Sequence, residues 1–162
     1  MKRQKSSKWI DVIFWTAIAI DFWSLFFPQF VSGFQVQRVI LGGTVTELTG
    51  TIITFLGLGF TVWARVHLGK NWSSMPAIKV GHELIRSGPY NIVRHPIYSG
   101  LLFGLAGTAI IIGELLAVVA FFLILFIFLW KIWTEEKYLL LEFGEVYAQY
   151  KREVPALIPF LV

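Results

Sequence analysis

The chain contains no cysteine, which excludes disulfides, a thiolate nucleophile and any cysteine-ligated metal. Histidine is scarce too: His67, His82 and His95 are the only three. None is spaced as metal ligands are in motifs such as HExxH, so no metal site is expected. Charged residues make up only 15% of the 162 residues. Against these shortages stand 56% hydrophobic residues and a mean hydropathy of +0.69, too apolar for a water-soluble core. The composition is that of a membrane protein. The net charge of +4 does not point to nucleic acid, because the basic residues border apolar segments instead of clustering in a polar module.

A bilayer core about 30 Å thick is crossed by roughly 20 apolar helical residues. Four such segments are expected, at about residues 9–30, 48–67, 97–112 and 115–133. The last two are separated only by Gly113 and Glu114, which predicts a tight helical hairpin. The basic start "MKRQKSSK" precedes an apolar stretch that is too long for a signal-peptide core and lacks a small-residue cleavage site, so it is read as retained. All 14 Lys and Arg except Arg38 fall on one side of this arrangement. The positive-inside rule then places both termini and the loop between the second and third spans in the cytoplasm. The tail from Thr134 is too polar to span and reads as an interfacial helix, broken near Gly144 and stopped by Pro155 and Pro159. Asp21, near the middle of the first span, is an intramembrane ionisable group and so a functional candidate by default, whereas Asp11 sits at the interface.

The stretch "SGPYNIVRHPIYSG", Ser87 to Gly100, concentrates polar chemistry at the edge of the third span. Pro96 suits the first turn of a helix, where its missing N–H costs nothing. Ser87, Gly88 and Pro89 mark a turn upstream. A helix start there can hold an anionic group. Taken singly, Arg94 and His95 are explained by snorkelling to headgroups, and Tyr90 and Tyr98 by an aromatic belt. The hairpin alters that balance, because it returns Lys131, Glu135 and Glu136 to the same membrane edge. Lys131 and Glu135 also share a helix face at i, i+4 and could simply pair. The glycines and alanine at 57, 59, 100, 104, 106 and 107 admit two roles, close helix packing, which is favoured, or a lateral passage for a lipid substrate.

Together, RHPxYxG, the Glu135–Glu136 pair, "FGEVYAQY" and "VPALIP" resemble the isoprenylcysteine carboxyl methyltransferase family, which is similar in turn to phospholipid N-methyltransferases. The resemblance runs from about Trp63 to Phe160. RHPxY alone is shared with NADPH-dependent membrane sterol reductases. The family resemblance implies an all-α integral membrane enzyme that binds S-adenosylmethionine on the cytoplasmic side, in a region of about residues 70–98 and 131–160.

Carried over by position, the resemblance makes His82, Glu83, Leu84, Ile85, Tyr90, His95, Pro96, Ile97, Tyr98 and Glu135 cofactor contacts. Arg94 and Lys131 would face the substrate, with Arg94 and Glu136 as catalytic residues. The family usually has arginine where this chain has Lys131, a compact point charge in place of a planar fork. The implied reaction is methyl transfer to a lipophilic acceptor entering from the bilayer, first among them the carboxylate of an isoprenylcysteine-like molecule. A carboxylate needs no general base; an amine acceptor would, with His95 or Glu136 as the candidate. A sterol-type reductase and a non-catalytic helix anchor are the competing readings. The reductase lacks an evident basic cluster for a 2′-phosphate. The inner membrane is the expected location if the chain is bacterial.

Overall fold

A computed structural model describes residues 37–69 and 84–159. The expected first span, with Asp11 and Asp21, and the expected contacts His82 and Glu83 lie outside the described residues. Helix α1 runs Thr44–Leu68. Glu47 in its first turn and Arg65 and His67 in its last match the signs that the helix dipole favours at each end. Thr51, Thr54 and Thr61 return their hydroxyls to carbonyls four residues back, at 2.6, 2.9 and 3.0 Å, which lets polar side chains lie on an apolar helix without unpaired groups.

Helix α2 runs Pro96–Ile112 and α3 runs Leu115–Phe143. Gly113 between them has φ 68°, a left-handed C-cap that glycine adopts without steric cost. Its carbonyl accepts the N–H groups of Val39 and Ile40 at 2.8 and 3.0 Å, and Leu115 N donates to Gln37 O at 2.9 Å. The segment before α1 thus binds the turn of the hairpin. Both expected hairpin arms are present. At about 1.5 Å per residue, the 29 residues of α3 reach about 43 Å, and the helix continues ten residues beyond the expected end of its span.

Among the described helices, α1 and α3 are long and apolar enough to cross a membrane, whereas α2, with 17 residues, is apolar but shorter. Only 11% of the most apolar window of α1 and 22% of that of α3 is buried. Phe55, Val66 and Phe126 are each more than two-thirds exposed. A soluble core helix would bury such side chains; here they face lipid, so the protein is an integral membrane protein.

The α1–α2 contact is made of backbone. A Cβ at Gly57 would lie 2.6 Å from Gly100 O, and one at Gly107 would lie 2.5 Å from Gly50 O. Thr54 Oγ1 donates across to Gly104 O at 3.3 Å. Gly57, Gly100 and Gly107 therefore close this seam, the packing role of small residues between membrane helices. Gly59 meets nothing within 4 Å and takes no part. The α2–α3 contact is made of side chains: Leu102, Ile124, Phe128 and Ile132 form a buried cluster joined by Leu157 from the tail.

At Gly144, φ 53°, the chain turns from α3 into α4, Glu145–Glu153. Tyr147 and Tyr150, three apart on one face, bury themselves with Val154 against Leu84, Leu139 and Phe143. The break at Gly144 and the stop before Pro155 agree with the sequence expectation.

Candidate active site

The motif begins as a 3-10 turn, Gly88–Asn91, with Pro89 in its first positions. It ends at His95, the N-cap of α2, and Pro96, the first helical residue. The intervening backbone is held by the tail. Arg94 N donates to Pro155 O at 2.8 Å, and His95 N to Ala156 O at 3.0 Å. Ser99 Oγ donates to Leu157 O at 2.7 Å. "RHP" and Ser99 are thus hydrogen-bonded to the backbone of "VPAL" at the open end of the hairpin. Buried backbone groups left unpaired by the break between turn and helix are satisfied this way.

Arg94 is turned inward. Its Nε and Nη2 donate to Glu136 Oε1 at 2.9 and 2.7 Å. Its Nη1 donates to Lys151 O at 3.0 Å and to Val154 O. Lys151 Nζ reaches the other oxygen of Glu136 at 2.6 Å. The side chains of Arg94 and Glu136 are each 8% exposed, so this is a desolvated pair sustained by several hydrogen bonds, the condition a buried ion pair requires. Burial by itself would raise the pKa of Glu136. The groups facing it, His95, Lys151 and Arg94, outweigh that effect and hold the carboxyl well below its ordinary 4.5.

His95 lies between two carboxylates, its Nε2 3.4 Å from Glu136 Oε1 and its Nδ1 3.8 Å from Glu135 Oε2. Its ring stacks on Tyr98 at 5.9 Å. Tyr98 donates its hydroxyl to Glu135 Oε1 at 2.7 Å, and Lys131 Nζ stands 5.9 Å from the centre of the Tyr98 ring. Glu135 keeps 24% of its side chain exposed. One helical step separates it from Glu136, so one carboxylate closes the packing inside and the other opens toward the site.

Tyr90 is buried, and its hydroxyl has no hydrogen-bond partner among the described residues. Its carbonyl accepts the hydroxyl of Tyr150. Burial raises the phenol pKa of Tyr150 to about 12 and moves those of Tyr90 and Tyr147 upward as well, so all three are neutral at physiological pH.

The structure thus brings together Tyr90, Arg94, His95, Pro96, Ile97, Tyr98, Lys131, Glu135 and Glu136 at one end of the hairpin. Leu84 is nearby, packed on the Tyr147 and Tyr150 cluster, and Ile85 follows it. Sequence reasoning missed Ser99, Tyr150, Lys151 and His67, whose Nε2 lies 2.9 Å from Ser87 Oγ. The i, i+3 spacing of Tyr147 and Tyr150 was the available signal for a shared buried face. Nothing local marks the other three. Among the described residues there is no cluster of three or more His, Cys, Asp or Glu suited to a metal ion.

The isoprenylcysteine carboxyl methyltransferase (ICMT) family model matches residues 50–141, more than half the chain, and takes in both the motif and the two carboxylates. A protein-S-isoprenylcysteine O-methyltransferase of Schizosaccharomyces pombe is 38% identical over 101 residues, 60% of this chain and 43% of the relative. Protein-S-isoprenylcysteine O-methyltransferase B of Arabidopsis thaliana is 28% identical over 152 residues, 93% of this chain and 67% of the relative. Among solved structures, the eukaryotic intramembrane Ras methyltransferase ICMT is similar, with TM-score 0.68 and 25% identity over 99% of this chain and 54% of that one. The chain spans about half the length of that structure and less than half of the fission-yeast relative. By sequence model, relatives and fold together, the chain belongs to the isoprenylcysteine carboxyl methyltransferase family.

Proposed function

We propose that the protein transfers a methyl group from S-adenosylmethionine to the carboxylate of a lipophilic, isoprenylcysteine-like acceptor, at the end of the α2–α3 hairpin. The observation that carries this reading is the pairing of an open carboxylate, Glu135 on Tyr98, with a buried orphan hydroxyl, Tyr90. A buried polar atom without a partner is uncommon in a folded protein and calls for a ligand or a bound water. The residues fit the cofactor in kind: Glu135 suits its ammonium or ribose hydroxyls, Tyr90 offers a neutral hydroxyl, and the Tyr98 face suits a cation. Leu84, Ile85, Pro96 and Ile97 would supply apolar contact, with His82 and Glu83 completing the set. When bound, S-adenosylmethionine would supply an electrophilic sulfonium methyl for the acceptor oxygen and leave as S-adenosylhomocysteine.

The chain's own residues serve alignment and exclusion of water. Lys131, beside Tyr98, holds the acceptor carboxylate as a point charge. Arg94 and Glu136, expected as catalytic residues, fix the tail segment 154–157 over the start of α2 and so set the position of His95 and Tyr98. Arg94 and Lys151 engage both Glu136 oxygens, so an amine acceptor would leave His95 as the candidate base, whereas a carboxylate acceptor needs none. In this reading the chain has four spans, with the site and both termini on the cytoplasmic face, and the acceptor's apolar part enters from the bilayer.

The test is calorimetric titration of the detergent-purified protein with S-adenosylhomocysteine, with NADPH in parallel, followed by radiolabelled methyl transfer to an S-farnesylated N-acetylcysteine. Saturable binding of S-adenosylhomocysteine and a methyl ester product are expected. Binding of NADPH alone would overturn the reading in favour of a reductase.

A further inference from the structure

We propose that His67, at the last turn of α1, is a positioning residue for Tyr90 and thereby sets the affinity of the cofactor pocket; this rests on the reading above, in which Tyr90 borders that pocket. One imidazole touches three residues of the turn. Its ring lies 6.5 Å from the Tyr90 ring, with the planes 25° apart. Its Nε2 lies 2.9 Å from Ser87 Oγ. It also covers Gly88 so closely that a Cβ there would stand 2.8 Å from ring Cε1. The 3-10 turn packs against α1, and the hydroxyl of Tyr150 on α4 donates to the Tyr90 carbonyl.

The backbone of Tyr90 is already fixed: its N–H donates to Ser87 O at 3.2 Å, and its carbonyl accepts from Tyr150. What these bonds leave undetermined is the side chain, whose rotamer decides where the orphan hydroxyl points. Stacked rings resist that rotation, since turning one ring separates it from the face of the other. His67 is itself exposed, unlike the core residues around it. Its role is therefore not to fill the interior, and removing it leaves the helix packing of α1 on α2, at Gly50, Gly57 and Ala64, untouched.

The experiment uses the full chain in detergent or nanodiscs, with S-adenosylhomocysteine as the titrant and thermal unfolding recorded for every variant. His67→Ala is expected to weaken binding about three- to tenfold, the range an aromatic pair supports, with only a small fall in Tm. His67→Phe, which keeps the stacking and loses the Ser87 bond, is expected to bind within about twofold of wild type. His67→Gln, which keeps that bond without stacking, is expected to resemble His67→Ala. In a Tyr90→Phe background the effect of His67→Ala should disappear, since the ring would then have no hydroxyl to aim.

Wild-type affinity in His67→Ala, or an equal loss in both backgrounds, would overturn the proposal while leaving the methyltransferase reading intact. Wild-type affinity in Tyr90→Phe would remove Tyr90 from the pocket and the proposal with it. Absence of S-adenosylhomocysteine binding by the folded wild-type protein would overturn both. If His67→Ala does not fold, the comparison of Phe with Gln decides: equal affinities for the two contradict the stacking role.

Discussion

The hydroxyl of Tyr98, on the first turn of α2, donates to Glu135 Oε1 on the last turns of α3 at 2.7 Å. The two residues are 37 positions apart and meet because the hairpin at Gly113 returns α3 to the level where α2 begins. This bond defines the open edge of the site, since Glu135 keeps part of its carboxylate accessible while its neighbour Glu136 is enclosed.

Glu135→Gln is expected to weaken S-adenosylhomocysteine binding about tenfold, because a charge-assisted acceptor becomes neutral. Tyr98→Phe, which removes only the donor that orients Glu135, should cost less, about two- to fivefold. Calorimetric titration of both variants checks the order. A larger effect for Tyr98→Phe would give the primary contact to the phenol.

Arg94→Ala is expected to destabilise the protein by about 3 kcal/mol, because it leaves Glu136 buried without its guanidinium partner, facing only Lys151 and His95. Methyl transfer should fall further than cofactor affinity does, since the tail that positions His95 is released. Arg94→Lys should not restore activity, because a single ammonium cannot reach Glu136 and the carbonyls of Lys151 and Val154 together. Denaturant unfolding and methyl-transfer rates on both variants test this.

Acid sensitivity follows from Glu136. Its folded pKa is lowered below the unfolded value near 4.5. The stabilisation is therefore fully present above that value and lost as pH falls through it toward the folded pKa. The difference in Tm between wild type and Glu136→Gln should be largest near neutral pH and shrink between about pH 5 and pH 3. A pH-independent difference would assign the stabilisation to packing instead of charge.

Gly57→Ala and Gly107→Ala should each destabilise by about 1–3 kcal/mol, the cost of overpacking a tight contact, because the added methyl meets helix backbone that cannot rotate away. Gly59→Ala, facing open space, should be neutral or stabilising by about 0.5–1 kcal/mol through helix propensity. Thermal unfolding in one detergent compares the three directly.

The parts of the site that were legible are those with a local cause. Pro96 marks the helix start, Gly113 the hairpin and Gly144 the break before α4, each because of a backbone preference that a single residue carries. The convergence of Glu135 with the motif followed from counting residues along two arms of the hairpin. The direction of Arg94 did not follow. A guanidinium at a membrane edge is equally compatible with solvent, headgroups, substrate or an internal carboxylate, and the outcome depends on Lys151 and Val154, which are 57 and 60 positions away.

The sequence by itself determined that this is an apolar, helical membrane protein with a polar site at one end of a hairpin, and which family it resembles. Those properties come from composition, run length and single-residue backbone preferences, all of which act within a few positions. Only the tertiary structure decided which carboxylate is enclosed and which is open, that the tail carbonyls of Pro155 and Ala156 bind the motif, and that the His67 ring stacks beside that of Tyr90. Each depends on which faces two helices present when they cross, and a shift of one residue in that register would exchange the roles of Glu135 and Glu136.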